Sequence, residues 1–367
     1  MLFRSREYQE EQNRMVRNSI AKHKRVISCM STGSGKSVMM ADLTLKAREK
    51  DKSVVIVLPR RSLVIQLSES FNNYGINHGV VMAGIRPYSS PRVQIVSIDT
   101  YKMRLAKGCI ELLKADLLII DEAHNVESQI LDFVTFSISD ELLTDHAIFI
   151  PKLNTAKDYD LWFRDIELDK ILLEAMNKYA KAGMTKEYDE VERLQRKLDI
   201  FVTNIDKEGA EWVIEYAEAF DGQKTVRTVT MKPVYAVGFA EDLLFRLGKK
   251  VLMLSATILD VDVMARSLGI DRSELAAYRM KNRFPVENRP IYVRPVAKMT
   301  GGKDKMQEWM PKLIAGVEKI LDQYPEQRGI IHTHNNAIME ALTSKIKPKY
   351  FARLITQREF QIGRAHV

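Results

Sequence analysis

Hydrophobic residues in the first third of the chain fall into short runs rich in β-branched side chains, at residues 26–30, 54–58, 93–98 and 117–120. Runs of this length predict strands covered on both faces. Between them, residues 38–50 and 62–74 carry apolar positions at helical spacing. That order predicts a parallel sheet with helices on both sides, whose ligands bind at the carboxyl ends of the strands.

From about 139 to 220 charge becomes dense and helical periodicity takes over. Leu168, Ile171, Leu172, Ala175, Met176 and Tyr179 mark one helical face. Tyr188, Val191, Leu194, Leu198 and Phe201 mark another, and Gly183 supplies a turn between them. The expectation is an antiparallel helical hairpin inserted into the α/β domain, either touching a ligand or serving as a small structural bundle. Alternation returns at 225–231, and 250–254 reads as another buried strand. Beyond 275 a second α/β unit is expected, with strand candidates at 290–295 and 329–332 and with Pro285, Pro290 and Pro295 punctuating the crossing.

A chain of 367 residues exceeds one ordinary core, so two or three domains are expected. No run of about 18 apolar residues is present to span a membrane, and the charged N-terminus lacks a signal core. A cytoplasmic location is the expectation. The only cysteines, Cys29 and Cys109, exclude a disulfide framework and a four-thiolate metal site within this chain. Charge is uneven: residues 1–129 hold 20 Lys/Arg against 13 Asp/Glu, or +7, and the remainder holds 36 against 35. A basic first third suits a polyanion, although proteins of this charge that touch no nucleic acid are as common.

Two motifs carry chemistry. Ser31, Thr32, Gly33, Ser34, Gly35, Lys36 and Ser37 follow a predicted strand and open a predicted helix. Glycines there let backbone N–H groups turn inward around phosphate oxygens, Lys36 reaches the β- and γ-phosphates, and Ser37 holds Mg²⁺. Met30 stands where the fuller pattern has glycine. Leu117 to Ile120 then lead into Asp121, Glu122, Ala123 and His124, which places two carboxylates at the tip of a buried strand. Asp121 is the candidate Mg²⁺ ligand and Glu122 the candidate base for an attacking water. The plainer reading of the same acids is N-capping of the next helix.

Together these motifs resemble a superfamily 2 helicase of DEAD/DEAH type. Arg6, Glu7, Tyr8 and Gln9 are similar to the Q motif, whose glutamine reads adenine, with Gln12 as the alternative. Residues 58–66 resemble motif Ia, so Arg60 is expected to hold a nucleic-acid backbone, and Thr100 lies where a further backbone contact is expected. Ser255, Ala256 and Thr257 resemble motif III, which with His124 couples hydrolysis to domain movement; Ile330 to His334 resemble motif IV. Asn125 after the DEAH box, a gap of about 130 residues from His124 to Ser255, and Lys232, Pro233, Val234 and Phe245 resemble the XPD/DinG branch. Members of that branch usually carry an iron–sulfur domain between motifs Ia and II. The four cysteines are missing, so this chain resembles a cluster-free relative with no iron–sulfur cluster expected.

The resemblance implies an α/β fold of tandem RecA-like domains with parallel sheets, the second incomplete, and a helical insertion in the first. The expected boundaries are 1–138 for the first part of the ATP-binding domain, 139–224 for the insertion, 225–274 for the remainder of the first domain and 275–361 for a truncated second domain. Residues 362–367 match one reading frame of a common sequencing-adapter oligonucleotide and are expected to be non-native. Motifs V and VI, with the arginine fingers that raise turnover roughly 10³–10⁵-fold in related NTPases, would lie beyond, so this polypeptide is expected to be nearly inactive. The implied function is an ATP- and Mg²⁺-dependent helicase moving 5′ to 3′ along single-stranded or forked DNA. The alternatives are a translocase that does not separate strands and a nucleic-acid clamp that binds ATP without turnover.

Overall fold

The computed structural model describes residues 6–86, 92–106, 111–207, 211–220, 225–280, 285–288, 290–299 and 302–356. Cys109 and the tail at 362–367 lie outside the described residues. The chain divides into two units, Met1–Asn282 and Arg283–Val367.

In the first unit, α1 (Glu7–Lys22), β1 (Arg25–Cys29), α2 (Lys36–Arg48), β2 (Val54–Leu58), α3 (Arg61–Asn73), β3 (Gly79–Val81), β4 (Val93–Ser97), α4 (Ile98–Ala106), β5 (Ala115–Ile120) and α5 (Val126–Val134) succeed one another. After an insertion, α9 (Ala240–Leu243), β9 (Gly248–Ser255), α10 (Val261–Ser267) and β10 (Leu275–Arg279) complete it. The seven strands form one sheet in the order β10-β1-β9-β5-β2-β4-β3, with every neighbouring pair parallel. Strands β1, β2 and β4 are buried at every position, as the unbroken apolar runs require. Adjacent residues feed opposite layers. Val26, Val54 and Ile56 pack with Val16, Met39, Leu43 and Phe71, whereas Ile27, Val55 and Val57 pack with Ile130, Phe239 and Leu268.

The insertion holds β6 (Phe136–Ser139), α6 (Ala156–Asp165), α7 (Leu168–Ala182), α8 (Thr185–Asn204), β7 (Trp212–Phe220) and β8 (Thr225–Pro233). Helices α7 and α8 form the expected hairpin, turning at Gly183 with φ +70°. A purely helical insertion is corrected, because β6, β8 and β7 make an antiparallel sheet that shares a core with α6, α7 and α8 around Phe136, Phe163, Leu172, Phe201 and Met231. The anticipated limits 139–224 cut through this body, since β6 precedes 139 and β8 follows 224. The boundary at 275 is likewise corrected: β10 pairs with β1 from Arg25↔Leu275 to Cys29↔Arg279 and closes the first sheet.

The second unit contains α11 (Gly302–Gln323) and α12 (Asn336–Lys345), joined by a core of Trp309, Met310, Ile314, Ile338, Leu342 and Tyr350. Among its described residues no strand forms, so the candidates at 290–295 and 329–332 are corrected. Ile291, Val293 and Ile330 stand 89%, 84% and 82% exposed. A β-branched run needs a hydrogen-bonded neighbour before its strand preference is realised, and these segments have none.

Candidate functional site

Strands β1, β9 and β5 lie side by side, so the loops leaving their carboxyl ends meet. Residues 30–35 join β1 to α2 through Gly33 at φ +78° and Gly35 at φ +87°. Gly35 caps α2, whose first turn holds no acidic residue and no side-chain cap, which leaves the helix N–H groups for an anion. Gly35 lies in the left-handed region that favours glycine, and a β-carbon there would stand 2.2 Å from Gln9 Nε2, so any other residue would have to displace the Gln9 amide. Thr32 and Gly33 are exposed, Ser37 is half-buried, and the buried Ser34 donates its hydroxyl to Ser31 O at 2.7 Å.

Gln9, 4% exposed, donates from Nε2 to Ser34 O at 2.9 Å and accepts from Arg6 N at 2.9 Å. Tyr8 donates to the same carbonyl at 3.1 Å, a contact the sequence reading missed although the two residues are adjacent. Gln12 turns elsewhere and donates to Ser28 Oγ at 2.7 Å. Gln9 is therefore the glutamine that touches the loop.

Across β9, Lys36 Nζ lies 2.6 Å from Glu122 Oε1 and 3.5 Å from Asp121 Oδ1. Burial raises the Asp121 carboxyl above the ordinary carboxylate range, against the attraction of Lys36. Asp121 Oδ1 is buried and faces the Lys36 ammonium, at 3.5 Å, so a cation already balances it in this arrangement. Glu122 adopts φ +51°, a left-handed conformation that costs a residue with a β-carbon roughly 1–2 kcal/mol. Asp51, Ala147 and Glu167 adopt the same conformation in this chain. His124 Nδ1 makes a 2.8 Å hydrogen bond with Ser255 Oγ and lies 3.4 Å from Glu122 Oε2. Ser255 is fully buried at the end of β9, and its Oγ also accepts from Thr257 N at 3.2 Å. The arrangement thus gathers a helix N-terminus, a lysine, two carboxylates and a histidine–serine pair at one sheet edge.

Arg60 and Thr100 lie on the far side of β5, after β2 and β4. Arg60 is exposed at the start of α3. Thr100 is only 5% exposed and its Oγ1 accepts from Ala83 N at 3.2 Å, so its expected place on the binding surface is corrected. It supports the turn at residues 82–85, which Arg61 and Arg104 also hold through the carbonyls of Ala83, Met82 and Ile85. The sequence carried no signal for these two arginines, because the carbonyls they grip belong to a distant turn.

Residues 2–146 match the family model for "Type III restriction enzyme, res subunit". No curated protein matches the sequence. Among solved structures, S. tokodaii Xpd4 is 13% identical with TM-score 0.49, covering 95% of this chain and 78% of that one. The Pyrococcus furiosus Hef helicase domain is 12% identical with TM-score 0.35, covering 96% of this chain and 54% of that one. The DUF1998 helicase MrfA is 10% identical with TM-score 0.45, and this chain spans 40% of its length. The family match covers residues 2–146, the part of the chain that supplies strands β1 to β5 of the parallel seven-stranded sheet and both motif-bearing loops.

Proposed function

We propose that the chain is the ATP-binding part of a DNA helicase or translocase of the XPD/DinG-like branch, acting 5′ to 3′ on single-stranded or forked DNA. The observation that carries this reading is the convergence of Lys36 with Asp121 and Glu122 beside the Gly33–Gly35 loop. In this reading the loop and α2 bind the triphosphate, Gln9 contacts adenine, and Lys36 leaves Glu122 for the β- and γ-phosphates. Once Lys36 has moved to the phosphates, Ser37 and the buried Asp121 Oδ1 would hold a Mg²⁺ ion, which when bound would neutralise charge on the phosphate oxygens. Glu122, freed from Lys36, orients water and takes its proton. His124, Ser255 and Thr257 transmit the state of that carboxylate to the loop after β9, and Arg60 holds the nucleic-acid backbone with salt-dependent affinity.

Glu122→Gln should abolish hydrolysis while sparing Mg·ATP binding, and Lys36→Ala should abolish binding. Unchanged turnover in the first variant removes Glu122 from the mechanism. Unwinding of 5′-tailed but not 3′-tailed duplexes tests the polarity, and activity confined to 3′ tails would sink the branch assignment. The match to a restriction-enzyme subunit supports a second reading, translocation without unwinding. DNA-stimulated ATPase with no strand displacement would favour it.

A further inference from the structure

We propose that Arg279 is a positioning residue for Thr257, clamping the segment that follows β9 to the edge strand β10; the inference rests on the nucleotide-site reading above. Residues 256–260 leave the sheet with little to hold them. Ile258 is buried, but Thr257 is exposed and Leu259 is 91% exposed, so apolar packing fixes only one point of the loop. Polar contacts supply the rest. Thr257 N donates to Ser255 Oγ, and Asp260 accepts from the N–H groups of Asp262 and Val263 to start α10. Between these two anchors, Arg279 Nη2 donates to Ile258 O at 2.5 Å and Leu259 O at 3.2 Å. Thr257 is thereby held on its amino side by Ser255 and on its carboxyl side by Arg279.

Arg279 is well placed to act on the site as a whole. It stands opposite Cys29 in the β1–β10 register, and Met280 N donates to Cys29 O at 2.9 Å. Met30 N, the first amide of the phosphate loop, donates to Ser255 O at 2.8 Å. The residue that grips the Thr257 segment is thus anchored to the strand that launches the phosphate loop. Both bonds leave one terminal nitrogen, Nη2, whose two N–H groups serve two successive carbonyls, so a lysine ammonium of sufficient reach would restore part of the clamp and methionine none of it.

The test uses the full chain without nucleotide. Amide exchange at 257–259 should quicken about tenfold in Arg279→Met, the loss of a hydrogen-bonded restraint, and less in Arg279→Lys. The His124 ring resonances, assigned with His124→Gln, should move in Arg279→Met in the direction they take in Ser255→Ala. Mg·ATP affinity should stay within about twofold of wild type, since Arg279 touches no loop atom that faces phosphate. Unchanged exchange and unchanged His124 resonances in Arg279→Met overturn the proposal. So does faster exchange spread through β1 and β9, which makes Arg279 a general strut. Failure of the wild-type chain to bind Mg·ATP overturns the nucleotide-site reading alone, because exchange at 257–259 reads the clamp directly.

Discussion

Replacing Gly35 by alanine strikes the phosphate loop in two separable ways. The first is conformational: φ is +87° at Gly35, and a residue with a β-carbon held there costs roughly 1–2 kcal/mol. The second is steric. The added carbon would lie 2.2 Å from Gln9 Nε2, so the amide must swing away. Gln9 then gives up its bonds with Ser34 O and Arg6 N, at roughly 0.5–1.5 kcal/mol each. Together Gly35→Ala should destabilise the first unit by about 2–5 kcal/mol, a fall in Tm of roughly 5–15 °C. Thermal unfolding of four proteins measures both parts: wild type, Gly35→Ala, Gln9→Ala and the double variant. Once Gln9 is alanine the clash is gone, so the second replacement should cost only the conformational part, about 1–2 kcal/mol. Equal cost of Gly35→Ala in both backgrounds would refute the packing of Gln9 on the loop. A neutral effect in the wild-type background would refute the left-handed backbone at Gly35.

Three further outcomes follow from buried charge. Burial raises the Asp121 carboxyl, so the folded state holds its proton more tightly than the unfolded chain. The resulting penalty is absent below the ordinary carboxylate pKa near 4 and grows as pH rises through the folded value, so Asp121→Asn should raise Tm at neutral pH and lose that gain in acid. Lys102 lies over the Phe133 ring at 4.6 Å, and burial lowers its pKa to about 8. Its charged form opposes folding below that value, by up to about 3 kcal/mol, and the penalty fades as pH climbs from 8 towards the unfolded value near 10.4. Lys102→Met should therefore stabilise at pH 7 more than at pH 10 in paired urea titrations, and an equal effect at both would contradict the burial. Lys197 donates to Asp132 O and Thr135 O at the end of α5 and so fastens α8 to the first domain. Lys197→Met should quicken amide exchange in α8 ahead of β1 and β2; protection unchanged in α8 would count against this anchor.

Local pattern alone determined much of this protein. Five buried strands of the main sheet, the Gly33–Gly35 turn, the acids at the tip of β5 and the α7–α8 hairpin all follow from periodicity, backbone preference and side-chain chemistry within a few residues. Tertiary structure decided what depends on partners distant in the chain. Strand order put β9 between β1 and β5, bringing Ser255 to His124 and Lys36 to Glu122 across more than eighty residues. The same pairing drew β10 into the first sheet and β7 into an antiparallel sheet with β8 and β6, though the apolar run of β10, Leu275 to Tyr278, holds no β-branched residue and that of β7 is broken by Glu215 and Glu218. It also withheld strand structure from 290–295 and 329–332, whose composition favours it, and turned Thr100 inward beneath a turn it supports. A strand is completed by hydrogen bonds to a neighbour, and a side chain's exposure is set by whatever packs over it. Neither the neighbour nor the cover is written in the residues next to it.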